Sequence, residues 1–173
     1  MNTKITFILI LTAFLSFSLQ GQRVAIVDVN NILENLDDYQ AAQNEIDELT
    51  AKWRQNIAQE YDKIKSLYNR FQAEQVLLSP DAKIEREEEI TTKEREVREL
   101  QKRRFGEGGD LFRRRQELVS PIQDQVFTAI EEYAQIKGYD IILDRSSAAG
   151  LLYLNDEFDK TAEIKRELGI KSK

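Results

Sequence analysis

The segment Leu78-Ser79-Pro80-Asp81 separates two long charged stretches, and it decides the fold that the sequence predicts. Residues 34–78 contain neither Pro nor Gly, so a helix over them would be roughly 67 Å long. Ser79 can cap a second helix, with Pro80 at its first position and Asp81 near the positive end of its dipole. We therefore predict that residues 31–137 form a long helical hairpin, the arm, whose tip lies near residues 78–82.

A narrow apolar stripe runs along the outgoing limb of the arm. Four of its side chains repeat every seven residues: Ile57, Ile64, Phe71 and Leu78. This period is typical of a coiled-coil seam that a partner helix covers. Trp53, Tyr61 and Tyr68 widen the stripe toward a flank, so these aromatic side chains either pack against the returning limb or face a ligand. Packing is the simpler interpretation of Phe71, but we keep Trp53, Tyr61, Tyr68 and Phe71 together as candidates to face a bound ligand.

The returning limb is weakly apolar and is then interrupted by glycine. Of the 24 residues from 81 to 104, 16 are charged, which predicts a solvated helix face held by few apolar contacts. Gly106, Gly108 and Gly109 follow. Ile90 and Val97 predict the next seam position at residue 104, but the seven-residue repeat continues one residue later, at Phe105 and Phe112. Each glycine costs about 1 kcal/mol in a helix interior, so a kink or loosened turn is expected. It is either a candidate hinge or a static kink.

Short strands at both ends of the chain indicate a small head. The apolar runs at residues 23–29, 139–143 and 151–154 predict three strands. Asp28 is interpreted as a cap, Asn31 with Glu34 as a capping box that starts the arm, and Ser120 with Pro121 as a helix restart. Gly138 stops the returning helix, and Asp159 is expected to cap a last one.

These elements give an α+β, mainly α fold. Residues 22–30 and 138–173 form the β head with its C-terminal helix, and the arm is a long insertion between strands one and two. Three short strands cannot bury their own faces and edges, so subunits are expected to complete each other's sheet. The candidate residues for this shared head are apolar strand positions: Val24, Ile26, Val27, Ile141 and Leu143.

Composition restricts the function classes. The chain has no His and no Cys, which removes the usual zinc and copper ligands, a Cys nucleophile and a Ser-His-Asp triad, so neither enzyme activity nor a cofactor is predicted. Residues 1–21 read as a cleaved secretory signal. Its removal takes away Lys4 and leaves 24 basic against 31 acidic side chains, a net charge of −7, which argues against nucleic acid as a partner. Basic clusters at residues 102–104 and 113–115 lie among acids, so contact with a membrane is left open but is not predicted.

The order of these parts resembles the Skp/OmpH family of periplasmic chaperones. Four stretches carry the resemblance: Val24-Ala25-Ile26-Val27-Asp28; Leu78-Ser79-Pro80-Asp81-Ala82; Pro121-Ile122-Gln123-Asp124-Gln125-Val126; and Gly138-Tyr139-Asp140-Ile141-Ile142-Leu143-Asp144. The resemblance implies a homotrimer with a shared β body and three arms around a cavity. It also implies a holdase that keeps unfolded outer-membrane barrel proteins soluble in the periplasm without ATP. Well-known members of the family are basic, whereas this chain is acidic.

Two function hypotheses from different classes follow. In the first, many weak apolar contacts from the arms hold unfolded clients. In the second, the protein is a non-enzymatic envelope spacer whose arms bind one folded partner. Suppression of client aggregation would favour the first hypothesis, and saturable binding to one partner would favour the second.

Overall fold

The protein is mainly helical in a computed structural model that describes residues 21–147 and 151–170. The predicted signal therefore lies almost wholly outside the described residues. Within these two ranges the structure has two strands, five α-helices and one short 3-10 helix. In chain order they are β1 (Val24–Val27), α1 (Val29–Glu34), α2 (Asp37–Glu74), α3 (Pro80–Phe105), α4 (Asp110–Lys137), β2 (Ile141–Asp144), the 3-10 helix (Asp156–Phe158) and α5 (Thr161–Glu167). None of the helices within the described ranges is both long and apolar enough to cross a membrane.

The arm is a helical hairpin whose seam follows the seven-residue repeat. Helix α2 packs against α3 toward the tip and against α4 toward the head. The distal seam buries five side chains: Ile57, Ile64, Phe71, Ile90 and Val97. Ala42, Ile46 and Val119 form a second cluster nearer the head. The limbs thus bury one narrow stripe and leave most of their surfaces in solvent, as a coiled-coil seam does.

The tip has the predicted cap. Ser79 lies outside the helix with extended backbone, and its hydroxyl oxygen accepts a hydrogen bond from the Ala82 backbone N–H at 3.3 Å. Pro80 occupies the first helical position, where its missing N–H costs nothing.

The outgoing limb is not one continuous helix, which corrects the prediction. Asp28 caps α1, and its carboxylate accepts the Asn31 backbone N–H at 2.9 Å, so Asn31 is a helical residue and not the cap. Helix α1 ends at Glu34, and Leu36 has extended backbone before α2 begins. Leu36 packs on the apolar core of the head, so burial of this side chain offsets the interruption of the helix.

The returning limb breaks at the glycines but not at Pro121. Residues 106–109, hereafter the break, separate α3 from α4, which confirms the predicted interruption. Gly108 has φ +64, a left-handed conformation that favours glycine. Pro121, in contrast, lies inside α4, so the predicted restart at Ser120 is wrong. Val119 and Val126 are both buried against neighbouring elements, and this packing holds the helix through the proline.

The head contains two parallel strands, one fewer than predicted. Val24 pairs with Ile141 and Val27 with Asp144. Residues 151–154 are not a strand. The other edge of β1 instead meets Asp159 in an isolated bridge, where the Lys160 N–H donates to the Ile26 carbonyl at 2.8 Å. The apolar run at 151–154 therefore does not extend the sheet within this subunit.

Several polar contacts join distant parts of the chain in the head. The Asp28 N–H donates to the Thr161 hydroxyl at 2.9 Å, and the Val29 N–H donates to the Asp144 carboxylate at 3.2 Å. Gly138 ends α4 in the left-handed conformation, as predicted. Asp159 does not stand at the cap position of α5, but its carboxylate accepts the Thr161 N–H at 2.9 Å and so satisfies one free donor of that helix.

Candidate functional site

Two tyrosines lie on the solvent side of the seam. Tyr61 is 43% exposed and Tyr68 is 52% exposed, and their spacing of seven residues places them on the same face of α2. The Tyr61 hydroxyl donates to Gln101 on the facing limb at 3.3 Å. These two side chains form an exposed aromatic flank on the arm, whereas their positions beside the stripe were compatible with packing or with exposure.

The opposite flank of α2 contains a shallow groove of about 520 Å³. Its lining combines apolar and charged side chains of both limbs: Glu60, Asp62, Lys63, Ile64, Ser66, Leu67, Arg70 and Lys93. The Lys93 amine is paired with Glu96 at 2.8 Å, and this hydrogen bond raises the pKa of Lys93. The groove thus offers an aliphatic floor with a charged rim, a surface that suits amphipathic chain segments.

Two of the four aromatic candidates do not face solvent freely. Phe71 is 8% exposed and belongs to the distal seam, so its choice as a client-facing residue is corrected. The seven-residue repeat explains this, since Phe71 follows Ile64 on the covered stripe. Trp53 is half-buried: its ring meets Phe105 edge-on at 6.1 Å between centroids, and the Arg104 guanidinium lies 4.7 Å from its centroid.

Ion pairs surround the break and connect it to α2. The Asp110 carboxylate binds Arg104 at 2.5 Å on one side and also pairs with Arg113 on the other. The Arg113 side chain donates to the Gly108 carbonyl at 2.7 Å. Asp110 thus links α3 to α4 across the break. Arg104 also covers the indole of Trp53 on α2.

A second contact near the break joins α4 to α2. The Arg114 Nε donates to Glu45 at 3.0 Å, and Arg114 also pairs with Glu117. Hydrogen bonds to Glu45 and then Glu117 raise the pKa of Arg114. The basic runs beside the break are therefore partly engaged within the chain, in line with the acidic neighbours seen in the sequence.

Phe112 departs from the repeat that continues through Phe105 and Val119. Its side chain is 58% exposed, although it lies seven residues before the buried Val119 on the same helix. The neighbouring Leu111 packs against the cluster of Ala42, Ile46 and Val119 instead. Phe112 and Leu111 line a cleft of about 520 Å³ at the break. An exposed aromatic ring thus lies beside the candidate hinge.

The candidate head residues divide into two groups. Ile26 and Val27 are buried in their own subunit, at 8% and 1% exposure, which corrects their choice as contact residues. Ile141 and Leu143 are 42% and 48% exposed on one face of β2, and Val24 is half-buried beside them. Val27 points into the apolar core of the head. Ile26 is the cross-strand partner of Leu143 and so shares its face, but it also meets Asp159 on the other edge of β1.

The turn at the tip exposes apolar side chains that do not belong to the seven-residue repeat. Val76 is 82% exposed and Leu77 is 85% exposed, and Ile84 on α3 is 55% exposed. Leu78, by contrast, turns inward onto the distal seam. The sequence contains a signal for this exposure. Three aliphatic residues stand directly before the Ser-Pro cap, and one turn can bury only part of such a run.

No group of three or more His, Cys, Asp or Glu side chains suited to a metal ion occurs in residues 21–147 and 151–170. Acidic side chains are common on the arm but are spread over its surface. The arrangement offers many separate apolar and charged contacts along a thin limb, and these can bind a flexible chain at several points.

A head of two parallel strands that carries a long, broken helical hairpin defines the class of protein. The profile of the OmpH-like outer membrane protein family matches residues 23–168, almost the whole described chain. The crystal structure of an OmpH-like protein from Caulobacter crescentus CB15, assigned as a candidate outer membrane chaperone, has the same fold with a TM-score of 0.70. It is 14% identical, and the alignment covers 87% of this chain and 86% of that one. Among curated proteins, none matches the chain significantly.

The chain therefore belongs to the OmpH-like family. This confirms the resemblance drawn from the order of its sequence motifs.

Proposed function

We propose that this protein is an ATP-independent periplasmic holdase that binds unfolded outer-membrane barrel proteins between the arms of a homotrimer and prevents their aggregation. The observation that carries the proposal is the thin arm with exposed apolar side chains distributed along it, from Val76 and Leu77 at the tip through Tyr68 and Tyr61 to Phe112. Membership of the OmpH-like family supports a chaperone-type role.

Weak contacts can add up in such an arrangement. Full burial of one large apolar side chain contributes about 1.5–3 kcal/mol, and partial burial contributes less. Several contacts on three arms raise the effective concentration of the client, so useful affinity is reached while each contact stays labile. A surface of this kind tolerates many client sequences, because it contains no single desolvated hot spot.

The head supports the trimer part of the proposal. Ile141 and Leu143 present an exposed apolar face on β2, and within the described residues no strand pairs with its outer edge. An open strand edge with apolar side chains is a template for another chain. Partner subunits covering this edge would join three arms at one base.

The break supports a hinge. Glycines at 106, 108 and 109 interrupt the helix, and the ion pair between Asp110 and Arg104 links the helices on either side of it. A hinge here lets the distal half of the arm adapt to clients of different size.

Light scattering of a denatured outer-membrane barrel protein, diluted into buffer with the purified mature protein, tests the proposal. We expect suppression of scattering at about one trimer per client, without nucleotide. Unchanged scattering at excess trimer would refute the holdase. Saturable binding to one folded envelope protein, with no effect on unfolded clients, would instead identify a spacer.

A further inference from the structure

We propose that the arm tip is a docking surface for positively charged, apolar segments of unfolded client chains. The inference rests on the proposed function and adds a substrate class to it. It starts from Val76, Leu77 and Ile84, whose aliphatic side chains are 82%, 85% and 55% exposed at the end of the arm.

The turn holds these side chains outward in an ordered backbone. The Gln75 N–H donates to the Phe71 carbonyl at 2.8 Å, and the Leu77 N–H donates to the Glu74 carbonyl at 2.9 Å. On the other side, Ser79 caps α3, and its carbonyl accepts the Lys83 N–H at 3.0 Å. Leu78 packs inward, so the turn is anchored beside the two exposed residues. An ordered apolar surface loses less conformational entropy on binding than a flexible one.

The charge around this apolar surface is negative. Residues 70–89 carry six acidic side chains, Glu74, Asp81, Glu85, Glu87, Glu88 and Glu89, against three basic side chains, Arg70, Lys83 and Arg86. Arg86 is already engaged with Glu89 at 2.8 Å. Five of the acids, all except the half-buried Glu89, are exposed. The tip therefore has an excess of three negative charges next to its aliphatic side chains.

Charge complementarity selects the occupant. A segment with Lys or Arg between apolar residues can place its apolar side chains on Val76 and Leu77 and its cations beside the glutamates of α3. The same negative charge repels an anionic lipid surface and acidic segments. The Debye length is about 8 Å at physiological salt, so the glutamates within the first turns of α3 still attract a cation at the tip.

The direct test uses two fluorescein-labelled peptides of equal length and equal leucine content, one with lysines and the other with glutamates between the leucines. Anisotropy titration with the full mature protein should show the lysine peptide binding roughly tenfold tighter or more, since a 1.4 kcal/mol difference is tenfold in affinity. Salt of about 1 M, where the Debye length is about 3 Å, should remove most of this preference. Equal binding of both peptides would overturn the inference.

Two pairs of variants locate the binding surface. Val76→Ser with Leu77→Ser removes no core contact, because both side chains are exposed, and should weaken the lysine peptide roughly tenfold. Glu87→Lys with Glu88→Lys should weaken the same peptide, whereas Asp47→Lys with Glu48→Lys makes an equal change of net charge on exposed residues of α2 and should not. Equal effects of the two charge variants would refute a site at the tip.

Other outcomes separate this inference from the proposed function. Wild-type protein that suppresses aggregation but does not discriminate the peptides leaves the holdase intact and removes the tip site. Wild-type protein that discriminates the peptides through the tip but fails to suppress aggregation removes the holdase. Tip-dependent sedimentation with phosphatidylcholine vesicles, with or without phosphatidylglycerol, and without peptide preference would show that lipid is the occupant and overturn the inference.

Discussion

The carboxylate of Asp144 lies at the end of β2 and accepts hydrogen bonds from two parts of the head. One oxygen accepts the backbone N–H of Val29 at 3.2 Å and of Ser146 at 2.9 Å, and the Ser146 hydroxyl donates at 2.7 Å to the other. Burial acts to raise the pKa of Asp144, but the hydrogen bonds from Ser146 and Val29 outweigh it, so the net direction is downward from 3.8. The ionised form is therefore the one that holds β2 to α1.

We expect Asp144→Ala to lower the free energy of unfolding at neutral pH by roughly 1–3 kcal/mol, because hydrogen bonds to a charged group are lost. A lowered pKa contributes stability above the ordinary Asp value, and this contribution disappears as the pH falls through the pKa of the folded protein. The difference between wild type and variant should therefore shrink in acid. Urea unfolding followed by circular dichroism measures it, with exposed Asp124→Ala as the control; a pH-independent difference would contradict the role of the charge.

Tyr61 and Tyr68 provide a second prediction at this scale. Replacing both with Ser should weaken binding of a labelled, unfolded barrel protein by roughly tenfold, because two half-exposed rings no longer contact the client. Phe at both positions keeps the ring surface and should retain most of the affinity. Anisotropy of the labelled client measures both variants. Equal losses in the Ser and Phe variants would indicate that the hydroxyl groups, and not the ring surfaces, bind the client.

At the scale of elements, the break is held by the ion pairs of Asp110 and by the contact of Arg104 with Trp53. Trp53 is the single tryptophan of the chain, so its fluorescence reports on this position. Asp110→Asn should shift its emission to longer wavelength and increase acrylamide quenching, because Arg104 loses its partner and uncovers the indole. Exposed Glu107→Gln is the matched control. Quenching that is unchanged in Asp110→Asn would mean that the apolar contact with Phe105 alone holds the break.

The hairpin was predictable from local signals, since the Ser79-Pro80 cap, the seven-residue repeat and the three glycines each act within a few residues. The interruption at Leu36 was not, because no Pro or Gly marks it and its cause is the packing of Leu36 on the head. The prediction at Pro121 was wrong in the opposite direction. Ser120 and Pro121 predict the start of a new helix, but burial of Val119 and Val126 on either side keeps the helix continuous. In both cases tertiary packing overrides a local preference.

The candidate site was predicted only in part, because tertiary packing also decides which of its side chains are exposed. The spacing of Tyr61 and Tyr68 placed them beside the stripe, but it did not decide between packing on the returning limb and exposure. Ile26 and Val27 were chosen because they are apolar strand residues, but the sequence does not give the order in which strands pair. The role of Asp144 was not predicted, because its partner Val29 precedes the arm in the sequence and Asp144 follows it.

At the scale of the whole molecule, the exposed face of β2 gives a prediction about assembly. The proposed trimer predicts that Leu143→Asp reduces the mass in solution from three subunits to one, because a charge in an apolar subunit contact has a high cost of desolvation. Light scattering coupled to size exclusion measures the mass. Val76→Asp places the same charge on an exposed aliphatic position of the tip and should leave the mass unchanged. A trimeric Leu143→Asp protein would exclude this face as the subunit contact.

The parallel pairing of β1 and β2 also affects the order in which the chain acquires its structure. Arg23, next to β1, donates its backbone N–H to Asp140, next to β2, across a separation of 117 residues. Contacts of such long range form late, because the loop between them must close first. A chain synthesised from its N-terminus can fold its limbs locally while β1 waits for β2. An incomplete copy that stops within the arm therefore lacks β2, and the paired strands of the head form only in chains that have been made at least through residue 144.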